Sequence, residues 1–130
     1  MINTVFLTFE QVLAIHDNQI ELYGGSHGIR ELSLFESAIM RPQTTFGGHD
    51  LYPTLFEKAS VLMHSLVMNH PFIDGNKRTG TVSALAFFEI NGFKIVSKQG
   101  ELEQLSLNLE SKKINLQDLA DWFKKHSKKI

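Results

Sequence analysis

The sequence predicts an all-α domain, a single bundle of about six helices with a long loop before its central helix. Two observations carry this reading. The stretch opened by Thr54 sets Leu55, Phe56, Ala59, Leu62, Met63, Leu66 and Val67 at helical spacing, apolar over more than half its circumference. A helix that apolar belongs at the centre of a bundle. Around it lie further apolar stripes of the same period, bounded by cap chemistry. Starts are marked by Thr8-Phe9-Glu10-Gln11, Thr54-Leu55-Phe56-Glu57 and Asn115 with Asp118; stops are marked by Tyr23-Gly24-Gly25, Arg41-Pro42 and Asn91-Gly92.

Met1–Leu7 is a short apolar lead-in, expected to be extended. Thr8 and Gln11 form a capping box, and Phe9, Val12, Leu13, His16 and Ile20 carry a helix to about Leu22. His16 lies on the apolar stripe and reads as a hydrogen-bonded core histidine. After a loop at Gly24–Arg30, a second helix is expected from about Glu31 to Met40, with Leu32, Phe35, Ala38 and Ile39 inward. Residues 43–53 show no periodicity and make the longest irregular segment of the first half, and long loops in compact domains are often functional.

Thr54 and Glu57 give a second capping box for the central helix, in which Met63 and Met68 fill gaps and His64 is assigned to the core. A following helix from about Asn76 to Ile90 turns Val82, Leu85, Ala86 and one of Phe87 and Phe88 inward, with an Ala-rich middle allowing close approach to its predecessor. Phe93–Val96 is briefly extended. Glu101–Glu110 fits a helix through Leu102, Leu105 and Leu109 or a strand through Leu105, Leu107 and Leu109; helix is preferred. The last helix has Asn115 as N-cap, Ile114 stapled to Leu119, Leu116, Leu119 and Phe123 inward, and Trp122 at the margin. Lys124, Lys125, Lys128 and Lys129 suit the negative helix end and read as a solvated tail.

With 130 residues the chain is one domain, residues 1–130, long enough for a core. A net charge of −1 gives no field for nucleic acid, and the absence of cysteine excludes disulfides and thiolate metal sites. No stretch approaches a membrane span, and residues 1–15 lack the pattern of a signal peptide, so the expected location is cytoplasmic, without nucleic-acid or membrane partners.

Chemistry concentrates in His70-Pro71-Phe72-Ile73-Asp74-Gly75-Asn76-Lys77-Arg78-Thr79-Gly80, between two helix-patterned segments. Pro71 ends the first helix at His70, Gly75 permits a tight turn, and the next helix begins at about Asn76. A helix start offers free N–H groups and a positive dipole end to a phosphate, and Lys77 and Arg78 add charge. Asp74 is a hard oxygen ligand suited to Mg²⁺, and His70 is a general base near neutral pH. The group describes phosphoryl or nucleotidyl transfer.

His70–Arg78 resembles the Fic/Doc signature His-x-Phe-x-Asp/Glu-Gly-Asn-Gly/Lys-Arg. The resemblance extends to the death-on-curing (Doc) branch through Ile15-His16-Asp17, Leu22-Tyr23-Gly24-Gly25, the loop before Leu55-Phe56-Glu57, and Lys77-Arg78-Thr79. It implies an all-α Fido-type bundle that uses ATP and Mg²⁺ to modify a side-chain hydroxyl on a target protein. On that resemblance His70 is the base, Phe72 fixes the loop in the core, Asp74 is the metal ligand, and Gly75, Asn76, Lys77 and Arg78 form the phosphate-binding loop. Asn76 and Arg78 would hold phosphate oxygens, and Thr44–Asp50 falls where the family has a flap that aligns the target segment. Adenylylating members usually have a small residue where Lys77 stands and a second arginine where Thr81 stands, so the resemblance implies phosphorylation of a Ser or Thr hydroxyl, with adenylylation as the alternative. Gly75 matches the wider family, the Doc type often having alanine there. The family's inhibitory motif Ser/Thr-x-x-x-Glu-Gly/Asn has a partial echo in Ser106…Glu110-Ser111, which carries little weight in the sequence. The resemblance therefore implies a separate antitoxin partner, and a target class that includes the translation elongation factor Tu.

Two other readings compete. A metal phosphohydrolase would gather His16-Asp17 and His49-Asp50 with His64 or Asp74 around a metal. A non-catalytic module holding a nucleotide or peptide would not need His70.

Overall fold

The computed structural model describes residues 3–130. Helices form where caps and apolar stripes place them: α1 (Phe9–Tyr23), α2 (Leu32–Met40), α3 (Leu55–Met68), α4 (Asn76–Ile90), α5 (Glu101–Glu110) and α6 (Leu116–His126). Both halves of the α1 capping box are present, Thr8 Oγ1 accepting from Gln11 N at 3.1 Å and Gln11 Oε1 from Thr8 N at 2.9 Å. Asn115 and Asp118 close the same box on α6. At α3 only half of the expected box forms. Thr54 Oγ1 accepts from Glu57 N, but the Glu57 carboxylate takes the Thr54 hydroxyl instead of its N–H. Met1 and Ile2, part of the expected lead-in, lie outside the described residues; from residue 3 to Thr8 there is neither helix nor strand.

α3 is the central helix. Ala59, Leu62, Met63, Leu66 and Val67 are buried, and its largest interfaces are with α4 and then α6. The close approach to α4 is made at Gly80, where a Cβ would stand 2.8 Å from Val67 Cγ2 and 3.2 Å from Met63 O. This corrects the inward face expected for α4. Thr79, Gly80, Ser83, Ala84, Phe87 and Phe88 are buried, whereas Val82, Leu85 and Ala86 are half-buried. Small side chains at 80, 83 and 84 let α3 come near, which rotates the larger Val82 and Leu85 outward. On α6, likewise, Leu119, Ala120 and Phe123 are buried and Leu116 only partly.

Two short antiparallel ribbons interrupt the bundle. Within residues 43–53, after a 3₁₀ turn at Arg41–Gln43, strands β1 (Thr45–Phe46) and β2 (His49–Asp50) pair as a hairpin. Gly47 and Gly48, both at positive φ (58° and 81°), make its two-residue turn. The segment expected to be irregular is thus an ordered flap, and it presents Phe46 at 81% exposure. The basic tail is also partly ordered: β4 (Ser127–Lys129) pairs with β3 (Phe93–Ile95).

The hairpin root is fastened to α3 by a residue absent from the sequence reading. Lys58, only 2% exposed, donates from Nζ to Asp50 Oδ2 at 3.0 Å and to the Tyr52 carbonyl. Arg41 Nε donates to Tyr52 Oη at 3.3 Å, and its Nη1 donates to Ser65 Oγ and His64 Nδ1 at 3.0 and 3.1 Å. His64, assigned to the core from sequence, is half-buried at this junction. Burial, and secondarily the Arg41 charge, lower its pKa below the ordinary histidine value, which suits an imidazole accepting a hydrogen bond from a guanidinium.

Candidate active site

α3 ends at Met68, and the chain must then reverse to start α4 at Asn76. His70 takes φ 48° in that reversal, a left-handed conformation that costs a non-glycine residue roughly 1–3 kcal/mol and persists only where neighbours enforce it. Here the neighbour is the loop between α1 and α2. Arg30 donates from Nε to the His70 carbonyl at 2.6 Å and from Nη2 to the Asn69 carbonyl at 2.8 Å. The backbone N–H groups of Arg30 and Glu31 both reach the Pro71 carbonyl, Ile29 bridges Phe72, and Ile73 N donates to Gly28 O. That loop is itself tied to α1 through His27, which pairs with Asp17 at 3.2 Å and Glu21 at 2.8 Å. The two carboxylates raise the pKa of this exposed imidazole above its ordinary value, Glu21 acting more strongly.

Beneath the reversal lies Phe72, fully buried and stacked on the His16 ring at 3.8 Å. His16 is the hydrogen-bonded core histidine expected, and its Nε2 donates to the Asp74 carbonyl at 2.8 Å. The Asp74 carboxylate stands exposed, with Oδ1 accepting from Gly75 N at 2.9 Å and Oδ2 from Ser26 N at 3.3 Å. Two backbone donors orient it and leave its remaining lone pairs to solvent. Gly75, at φ 76°, then turns the chain into α4. The N–H groups of Asn76, Lys77 and Arg78 have no acceptor among the described residues. A helix start with such groups offers donors and a positive dipole end that suit an anion.

The sequence-predicted residues all lie on this reversal and the first turn of α4, and Asn76 is turned away from the part expected of it. The Asn76 amide does not face the loop: Oδ1 accepts from Phe72 N and Nδ2 donates to Phe72 O, both at 3.0 Å, and the residue is buried. Its side chain shapes the turn, and only its backbone N–H is free for an anion. Arg78 reaches the C-terminal end of α1, donating to Gly24 O at 3.0 Å, with its guanidinium 5.7 Å from the Tyr23 ring centre. Lys77 Nζ lies 3.2 Å from Glu110 Oε1 on α5. The partial inhibitory echo, given little weight in the sequence, therefore touches the site. Thr81 turns its hydroxyl onto the Lys77 carbonyl at 2.9 Å and offers no cation. A cleft of about 500 Å³ opens beside Lys77, Arg78 and Thr81, walled by Tyr23 and Leu107. The His70 ring is exposed and makes no hydrogen bond among the described residues.

One carboxylate fixed by backbone donors, facing solvent beside free N–H groups and two cations, fits a divalent cation shared with phosphate oxygens, since Mg²⁺ usually takes one or two carboxylates together with phosphates and water. The metal cluster of the phosphohydrolase reading does not form: no three His, Cys, Asp or Glu side chains gather to hold an ion among the described residues. His49 is on the exposed hairpin, and His16 is committed to the Asp74 carbonyl. No helix of the described residues is long and apolar enough to cross a membrane.

Comparison with known proteins bears on the same residues. The Fic/DOC family pattern matches residues 6–88, which takes in α1, the hairpin, α3 and the whole His70–Arg78 reversal. Toxin Doc of Mycolicibacterium smegmatis (strain ATCC 700084 / mc(2)155) is 43% identical over 75 residues, 58% of this chain and 58% of that protein, so this match spans little more than half of the relative. Protein kinase doc of Escherichia phage P1 is 31% identical over 112 residues, 86% of this chain and 87% of that protein. With the reversal, its supporting loop, α1, α2 and α3 inside the family match, and the phage relative covering 86% of the chain, the chain belongs to the Fic/DOC family, on its Doc branch.

Proposed function

We propose that this chain is a Doc-type toxin that transfers the γ-phosphoryl group of ATP to a Ser or Thr hydroxyl of a target protein. The carrying observation is the exposed imidazole of His70, set one turn-reversal away from three N–H groups at the start of α4, all without a hydrogen-bond partner among the described residues. In this reading His70 takes the proton of the target hydroxyl as its oxygen attacks the γ-phosphorus. The bond from that phosphorus to the β–γ bridging oxygen breaks, and ADP leaves. The N–H groups of residues 76–78, with Lys77 and Arg78, hold the phosphates. Mg²⁺, held by Asp74, would supply charge neutralisation.

Lys77 and Thr81 support the orientation. A long cation fills the place where a terminal phosphate would sit in an adenylylating arrangement, and Thr81 supplies no far cation, so the γ-phosphate is turned toward His70. The name of the phage relative, Protein kinase doc, agrees with that direction. The reading extends to a cytoplasmic toxin held by a separate antitoxin, with elongation factor Tu as the first target to try. Incubating the chain with ATP and elongation factor Tu, followed by mass spectrometry, is expected to show a phosphoryl increment on Ser or Thr. An adenylyl increment on the target overturns the kinase reading in favour of adenylylation. Expression of the chain alone is expected to slow growth, and the His70 variant to relieve it.

Two substitutions probe the phosphate loop. Asp74→Ala is expected to weaken the Mg²⁺ dependence of transfer, and an unchanged Mg²⁺ titration removes Asp74 as the ligand. Glu110→Gln releases Lys77 from a partly exposed pair worth about 0–1 kcal/mol, so the Kd for ATP should fall by up to about fivefold. Weaker ATP binding in that variant would show instead that Glu110 holds Lys77 in its working position.

A further inference from the structure

We propose that Arg30 is the positioning residue for His70, setting where the imidazole stands; the inference deepens the transferase reading and rests on it for its functional meaning. Between Asn69 and Asp74, each carbonyl but that of Ile73 has a partner among the described residues. Asn69 O and His70 O are taken by the Arg30 guanidinium, Pro71 O by the N–H groups of Arg30 and Glu31, Phe72 O by Asn76, and Asp74 O by His16. Arg30 therefore supplies donors to three consecutive carbonyls, and among the described residues it alone supports the residue at φ 48° through a side chain. Nε and Nη2 lie on one edge of a planar fork, so the two carbonyls they bind are fixed relative to each other as well as in place. An ammonium group is a point donor and cannot impose that relation.

Exposure separates this role from a structural one. Arg30 is exposed and both carbonyls it binds lie on exposed residues, so water can replace its hydrogen bonds when it is removed. The core beneath, Phe72 on His16 and the Asn76 amide on Phe72, does not involve its side chain. Loss of Arg30 should leave the fold intact and release the His70 backbone from its left-handed position.

The test compares wild type with Arg30→Ala and Arg30→Lys, using ¹H–¹⁵N spectra of the histidine rings, thermal unfolding, ATP titration and transfer to elongation factor Tu. The His70 ring signals are expected to shift and broaden in Arg30→Ala and partly recover in Arg30→Lys, while those of His16 stay in place. Transfer should drop at least tenfold in kcat in the alanine variant, with the Kd for ATP changed less than about twofold and Tm nearly unchanged. Added guanidinium at non-denaturing concentration should restore part of the rate. Unchanged His70 signals in folded Arg30→Ala overturn the proposal whether or not the chain transfers phosphate. Full activity in Arg30→Ala overturns it as well. Should the alanine variant fail to fold, Arg30→Gln, which keeps one donor, carries the same comparison. A wild-type chain that modifies no protein sinks the transferase reading alone and leaves the ring spectra to decide on Arg30.

Discussion

Replacing His70 with alanine is expected to cut transfer to protein by about 10²–10⁴-fold, the usual worth of a positioned general base, while ATP binding is retained. The geometry separates the two effects. The imidazole is exposed and bonded to nothing among the described residues, so its loss leaves no buried group unpaired. The groups proposed to hold phosphate are the N–H groups of residues 76–78 and the side chains of Lys77 and Arg78, which sit on α4 beyond the turn shaped by Asn76 and Gly75. Alanine also lacks nothing needed by Arg30, whose partners at residues 69 and 70 are main-chain carbonyls. ATP titration and single-turnover transfer on the same preparation check the split. Equal loss of ATP affinity and rate would assign His70 to the fold of the reversal, not to proton transfer.

What the sequence revealed and what it hid follow from how local each determinant is. The capping boxes at Thr8 and Asn115 act within four residues and are visible in the chain, and the reversal announces itself because histidine, carboxylate, glycine and cations stand side by side. The hairpin left only the dipeptide Gly47-Gly48 as a sign, since flanking strands of two residues are too short to show alternation. β4 was hidden because its pairing is with β3, more than thirty residues earlier, and a lysine-rich end gives no sign of it. Lys58 lies on the polar margin of an otherwise apolar helix, where a lysine ordinarily stays in water; the carboxylate and carbonyl that permit its burial come from the hairpin root. Arg30 had no detectable pattern, because its partners are main-chain carbonyls that any sequence provides. Asn76 shows the reverse error. Its amide looks available in the motif and is committed to Phe72 in space.

The second large effect is on stability, at Phe72. Phe72→Ala is expected to cost about 3–5 kcal/mol, the range for removing a fully buried phenyl ring, and to lower Tm by roughly 10 °C or more. Phe72 is 0% exposed, stacks on His16 at 3.8 Å with 7° between the rings, and meets Phe35 at 4.8 Å, which in turn stacks on Phe9 at 4.3 Å. Removing it opens a void between α1, α2 and the reversal that none of these helices can fill without breaking its own packing. The damage reaches the site through two non-covalent partners of Phe72. Phe72 backbone is held by the Asn76 amide, and His16, deprived of its stacking surface, no longer fixes the Asp74 carbonyl. Phe72→Leu keeps much of the volume and should recover most of the stability, yet it cannot give His16 a flat surface. Thermal unfolding with and without Mg²⁺-ATP distinguishes the contributions: the alanine variant should lose Tm and ligand protection together, the leucine variant mainly ligand protection. A Tm for Phe72→Ala within about 2 °C of wild type would mean that the reversal is held by the Arg30 and Asn76 hydrogen bonds alone, with the ring contributing little.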